Sequence, residues 1–129
     1  MKFLLILITI LILTPFTAQA HGGVEKSSGN TTVYLTQTPL SPFVGEKVKM
    51  TFVFAKSGTT DRLRNLDAEL NLIDTFYDDA TKDQTILTEH KKTDANGAFE
   101  FEYTFNKENF FDVDLKFKDP SSGEEQDIG

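Results

Sequence analysis

From Thr32 onward, apolar and polar residues alternate with a period of two, the pattern of strands that bury one face. Residues 32–37 set Val33 and Leu35 against Thr32, Tyr34 and Thr36. Residues 46–55 place Val48, Met50, Phe52 and Phe54 opposite Lys47, Lys49 and Thr51, and residues 67–74 repeat the pattern with Ala68, Leu70 and Leu72. A weaker strand over 84–91 has ambiguous parity, because Ile86 and Leu87 are adjacent. Phe99, Phe101, Tyr103 and Phe105 then alternate with Glu100, Glu102 and Thr104, and Phe111, Val113, Leu115 and Phe117 with Asp112, Asp114, Lys116 and Lys118.

Between these runs lie turn signals. Pro39, Pro42 and Gly45 interrupt the first connection, and Thr93-Asp94-Ala95-Asn96-Gly97 supplies an Asn-Gly turn able to take positive φ. Residues 75–83 form a polar, acidic connection from which Phe76 and Tyr77 are expected to fold back onto the core. Six strands at this spacing, with no amphipathic helix between them, predict an all-β, antiparallel β-sandwich, a small barrel being the alternative. The aromatic stripe of residues 99–105 reads as core, not as a ligand platform.

The two ends lack this periodicity. Residues 1–20 have the three parts of a cleavable signal peptide: Lys2, the apolar run of residues 3–13 broken only by Thr9, and the small-residue site Ala18-Gln19-Ala20 after Pro15. The alternative, a lasting anchor, needs about 20 apolar residues, more than the run offers. The expected mature chain starts at His21. Residues 21–30, rich in Gly and Ser, read as a flexible arm, residues 31–119 as the sandwich, and residues 120–129 as a polar, disordered tail.

Charge and composition then exclude several function classes. The chain carries 20 acidic and 13 basic residues for a net charge of −7, and every acid follows the leader. Such a surface repels phosphate backbones and anionic lipid, so no nucleic acid and no membrane is expected as a partner after leader cleavage. The chain has no cysteine, which removes disulfides, thiolate metal sites and thiol nucleophiles together. No G-x-S-x-G elbow or H-E-x-x-H helix is present, and no carboxylate pair stands out, so no enzyme is expected. Asp94-x-Asn96-Gly97 opens like a calcium loop, but Phe105 stands where the closing Glu belongs. Asp74, Asp78, Asp79 and Asp83 match no ligand spacing and read as a solvated loop. Asn30-Thr31-Thr32 matches the N-glycosylation pattern.

The runs GEKVKMTFVF, LDAELNLID, TDANGAFEFEYTF and FFDVDLKF together resemble the small exported immunoglobulin-like domains of the YtkA-like and CopC-like group. The likeness spans nearly the whole chain after the leader. It implies an immunoglobulin-like sandwich of about six to seven strands, secreted or held in the periplasm or cell envelope. A mature chain opening on His after an Ala-x-Ala site is similar to the copper-binding CopC-like proteins, which implies a copper role.

The residues supply a chemical basis for that role. On an N-terminal His21, the α-amine and the imidazole would close a chelate ring around one ion, and Gly22 and Gly23 leave the next amides unhindered. Cu(II) favours such tetragonal nitrogen ligation. If six strands alternate in direction, His90 ends its strand at the pole where the arm enters, with Asp94 beside it. A copper site of His21 and His90, with Asp94 as an oxygen ligand or its hydrogen-bond partner, is then topologically open, the alternative being a solvent-facing strand-end His90 flanked by Glu89 and Lys91. The competing expectation, from a different class, is a metal-free interaction or structural module serving a partner protein of the cell envelope.

Overall fold

The computed structural model describes residues 23–76 and 79–129. Among them run β1 (Gly23–Ser28), β2 (Thr31–Thr38), β3 (Lys47–Lys56), β4 (Asp67–Thr75), β5 (Gln84–Lys92), β6 (Ala98–Thr104), β7 (Phe110–Lys118) and β8 (Glu125–Ile128). All pair antiparallel, in two four-stranded sheets ordered β1-β2-β3-β6 and β5-β4-β7-β8. With β1 set aside, the strands follow the Greek-key order of an immunoglobulin-like sandwich, A-B-E facing C′-C-F-G. The sheets are separate, so the barrel alternative does not hold.

The alternating positions fill the space between the sheets. Val48, Phe54, Leu70, Leu72, Phe99 and Phe101 are essentially withdrawn from solvent. Phe54 meets Phe117 edge-on at 5.3 Å and Phe52 meets Phe99 the same way at 6.3 Å, a geometry aromatic quadrupoles favour. Phe105 and Val113, expected in the core, are only partly buried. The ambiguity at Ile86 and Leu87 is a register shift opposite Leu72 and Ile73: Leu87 pairs with Leu72, Thr85 pairs with Ile73, and the unpaired Ile86 turns to solvent.

Three expectations need correction. The arm is not wholly flexible, because Gly23–Ser28 pairs with Thr36 back to Thr31 as an edge strand. The tail is not disordered, because Glu125–Ile128 pairs with β7. The acidic connection contains one turn of 3-10 helix, Ala80–Lys82, capped by the Asp79 carboxylate. Phe76 does not pack onto the core: it is exposed, with the Lys107 ammonium 5.8 Å above its ring. Tyr77 lies outside the described residues.

Candidate functional site

The strands divide the sandwich into two poles. One holds the β1–β2 and β7–β8 hairpin turns; the other holds the start of β1, the 39–46 loop, the 105–109 loop and the end of β8. At this second pole the sheets part around a cavity of about 540 Å³. Val24, Leu35 and Phe52 line it from one sheet and Phe111, Val113 and Ile128 from the other. β8 pairs with residues 115–118 of β7, and the half-buried Phe105 and Val113 line the cavity.

This pole exposes four large apolar groups, of which Phe43 and Val44 line the cavity. Phe43 is 81% exposed, Phe110 69%, Leu40 63% and Val44 50%, and all four lie in loops or strand ends of this pole. Large exposed apolar groups gathered in one place mark a contact surface. The 105–109 loop is braced by the buried Asp74 carboxylate, which accepts from Asn109 Nδ2 and pairs with the Lys107 ammonium. Gly45 N donates to the Phe105 carbonyl at 2.7 Å, tying the two mouth loops together. Lys26 points inward from the edge strand and its ammonium donates to the Gly129 carbonyl across the gap. An inward charge of this kind guards an edge strand against pairing.

Acids rim the cleft. Glu108 and Asp112 stand at its mouth, and Asp114 follows on the outward face of β7. Burial and the neighbouring Asp127 carboxyl, which shares a hydrogen bond with it, push the Asp114 carboxyl up to about 6. Two like charges are thus crowded where β8 ends.

The three residues singled out from the sequence are not assembled. His21 lies outside the described residues, two positions ahead of Gly23. Gly23 pairs with Thr36 at the cleft pole, whereas His90 pairs with Glu69 toward the other. β5 is three strands from β8, the strand β1 approaches, a lateral distance of roughly 14 Å at ordinary strand spacing. β1 runs back along the sheet before β2 begins, so Gly23, the first described residue, and His90 lie toward opposite poles.

His90 itself is a surface group. Its side chain is 72% exposed, with Nε2 3.5 Å from Glu69 Oε2. It lies in a shallow depression of mixed charge, lined by Lys91, Lys92, Lys116 and Lys118 and by Asp67, Glu69 and Glu125. Asp94 is occupied locally: Oδ1 accepts from Asn96 N at 2.8 Å and Ala98 N at 2.9 Å, closing the turn in which Gly97 takes φ of 71°. A Cβ at Gly97 would sit 2.9 Å from the Phe54 carbonyl oxygen, so glycine is required there. Among the described residues, no three of His, Asp or Glu gather as a metal site. His90 and Asp94 therefore do not fit a copper centre.

The cleft was missed in the sequence because residues far apart in the chain, from both sheets and from the 39–46 and 105–109 loops, line it together. The available signal was the apolar set Leu40, Phe43 and Val44 in a loop otherwise built from turn residues. No helix among the described residues is long and apolar enough to cross a membrane. No family model, curated protein or solved structure matches the chain.

Proposed function

We propose that the chain is exported by its leader and acts as a non-enzymatic binding module of the periplasm or cell envelope, engaging its partner through the cleft pole. The observation that carries this reading is an under-filled core opening beside Phe43 and Val44, at the pole that also exposes Leu40 and Phe110. A sandwich needs no such opening for its own stability, and exposed apolar tips around a concave apolar site are what partner binding requires. Kinship with the YtkA-like and CopC-like group is part of the proposal, supported by the strand order and by the quoted runs. The exported protein is expected to bind the hydrophobic dye ANS at one site, and Val113→Phe to abolish that binding without lowering the melting temperature. Absence of dye binding by the folded protein, or binding unaffected by the filled cleft, would refute the reading.

A second reading is favoured by the His21-Gly22-Gly23 sequence at the expected mature start: one Cu(II) held by the amine and imidazole of His21. This version draws no ligand from the folded domain.

A further inference from the structure

We infer that the free edge of β6 is a self-association site. A second copy of the chain pairs with it antiparallel, about a two-fold axis at Tyr103. Residues 102–104 of the two copies then form one ladder and join two four-stranded sheets into a single sheet of eight.

The parity of β6 identifies its open groups. The Gly97 and Phe105 carbonyls accept from Phe54 N and Gly45 N on the β3 side. In an antiparallel ladder, alternate residues turn both N–H and C=O toward each neighbour, so the even-numbered residues of β6 face the edge. Ala98 is closed by its own turn: its carbonyl accepts from Asp94 N and its N–H donates to Asp94 Oδ1, both at 2.9 Å. The Glu100 carbonyl accepts from Lys91 Nζ at 2.9 Å, and that ammonium lies 5.5 Å from the centre of the Phe99 ring. Glu102 and Thr104 have both main-chain groups open among the described residues, because β3 is the one strand that β6 meets. In an immunoglobulin-type sheet ordered A-B-E-D, strand D covers this edge; here the chain passes from C′ (β5) straight to E (β6).

Inward charges and irregular register deter edge pairing. β1 turns Lys26 inward, β5 carries a register shift, and Lys91 plugs the first half of β6. The second half has no such device, and its one charged side chain, Glu102, is held 3.6 Å from Lys47 Nζ. A two-fold pairing fits what remains. Centred on Tyr103, it sets Glu102 of each copy opposite Thr104 of the other, forms four main-chain bonds from the open groups and stops where Lys91 begins. No glutamate stands directly opposite another. The two Tyr103 rings occupy the closely spaced, non-hydrogen-bonded position, where aromatic pairs stabilise a strand pair. Each ring is already set by its neighbours, stacked on Phe101 at 6.2 Å and edge-on to Phe105 at 4.9 Å.

Sedimentation velocity of the exported protein over a range of concentrations tests this pairing. A reversible dimer is expected, and its formation should slow hydrogen exchange at the Glu102 and Thr104 amides. Added salt should tighten it, by screening the net negative charge that both copies carry. Thr104→Pro removes an N–H that faces away from β3, so it leaves the internal ladder intact while deleting two of the four bonds. It should weaken the dimer about tenfold or more. Because the chain has no cysteine, Tyr103→Cys introduces one thiol per copy, with Cα atoms about 4.5 Å apart across the axis, within disulfide range. Mild oxidation should cross-link that variant. Glu100→Cys, whose two copies would stand roughly 20 Å apart, should not cross-link. A monomer at every concentration would overturn the proposal, as would a dimer that Thr104→Pro leaves unweakened or equal cross-linking through Glu100→Cys. Protection of the same amides by an unlike chain that co-sediments would also overturn it, because the occupant would then not be a second copy.

Discussion

Phe101 and Asp119 are both almost fully withdrawn from solvent, and they stabilise the fold in opposite ways. Phe101 faces the core from β6, pairs across to Met50 and stacks against Tyr103. Its inward position is readable in the period-two stripe alone. Truncation by Phe101→Ala should cost about 3–5 kcal/mol, measured as a shift in the urea midpoint. Asp119 is different: its carboxylate accepts from Asn30 N, Ser121 N and Ser121 Oγ, partners that lie 89 and 2 residues away. The Ser121 hydroxyl, then the Asn30 and Ser121 amides, hold its carboxyl below the ordinary range. A depressed folded value means that the unfolded chain binds the proton first as pH falls. Its contribution is therefore present above the unfolded carboxylate range and lost on acidification through the folded value. Asp119→Asn should lower the melting temperature at pH 7 and lower it less at acid pH. Asp114 has the reverse sign. With a folded value near 6 against an ordinary 3.8, ionisation opposes folding, and the penalty is removed as pH falls from above 6 toward 4. Asp114→Asn should raise the melting temperature at pH 7.5 and leave it nearly unchanged at pH 4. Neither acid is distinguishable in the sequence from its surface counterparts, because Asn30 lies 89 residues from Asp119 and Asp127 stands on a different strand from Asp114.

At the scale of elements, five strands with an alternating face and the weaker, irregular β5 were legible, and β1 and β8 were not. Their inward residues explain why. β1 turns Val24, Lys26 and Ser28 toward the opposite sheet, and β8 has Ile128 as its one buried residue. An edge strand that covers half a layer needs no apolar stripe, so its pattern resembles a loop. Polar contacts hold these two strands instead. Ser28 Oγ donates to Gln126 Oε1 at 2.6 Å, and Asp119 bridges the turns of both hairpins. Gly29 is the tight point of this junction, with φ of 57° and space so restricted that a Cβ would lie 2.7 Å from Asp119 Oδ2. Gly29→Ala should destabilise the protein by about 1–2 kcal/mol from the left-handed backbone alone, and more if the Asp119 contacts are displaced. Urea unfolding measures the loss. Hydrogen exchange should locate it in β1 and β8, whereas a uniform change would show that these strands unfold with the core.

For the whole molecule, the decisive feature is the direction of β1. It takes Gly23 toward the cleft pole and leaves His90 and Asp94 toward the other. The copper reading that needs no ligand from either strand is the terminal chelate of His21. Leader cleavage after Ala20 is the first condition, and N-terminal sequencing of the exported protein should find His21 first. With a free α-amine of pKa about 7.7–8.0 and an imidazole of about 6.5, Cu(II) competes with protons at both nitrogens, and affinity should fall steadily from pH 8 to pH 5. His90→Ala should leave copper affinity unchanged, because the domain contributes no ligand. One residue added ahead of His21 should weaken binding by about tenfold or more, since it separates the amine from the imidazole and opens the chelate ring. Electron paramagnetic resonance of the loaded protein should show nitrogen ligation that is lost in the extended form and retained in His90→Ala. Copper bound equally well by the extended protein would exclude the terminal chelate, and the cleft would then stand as the binding site on its own.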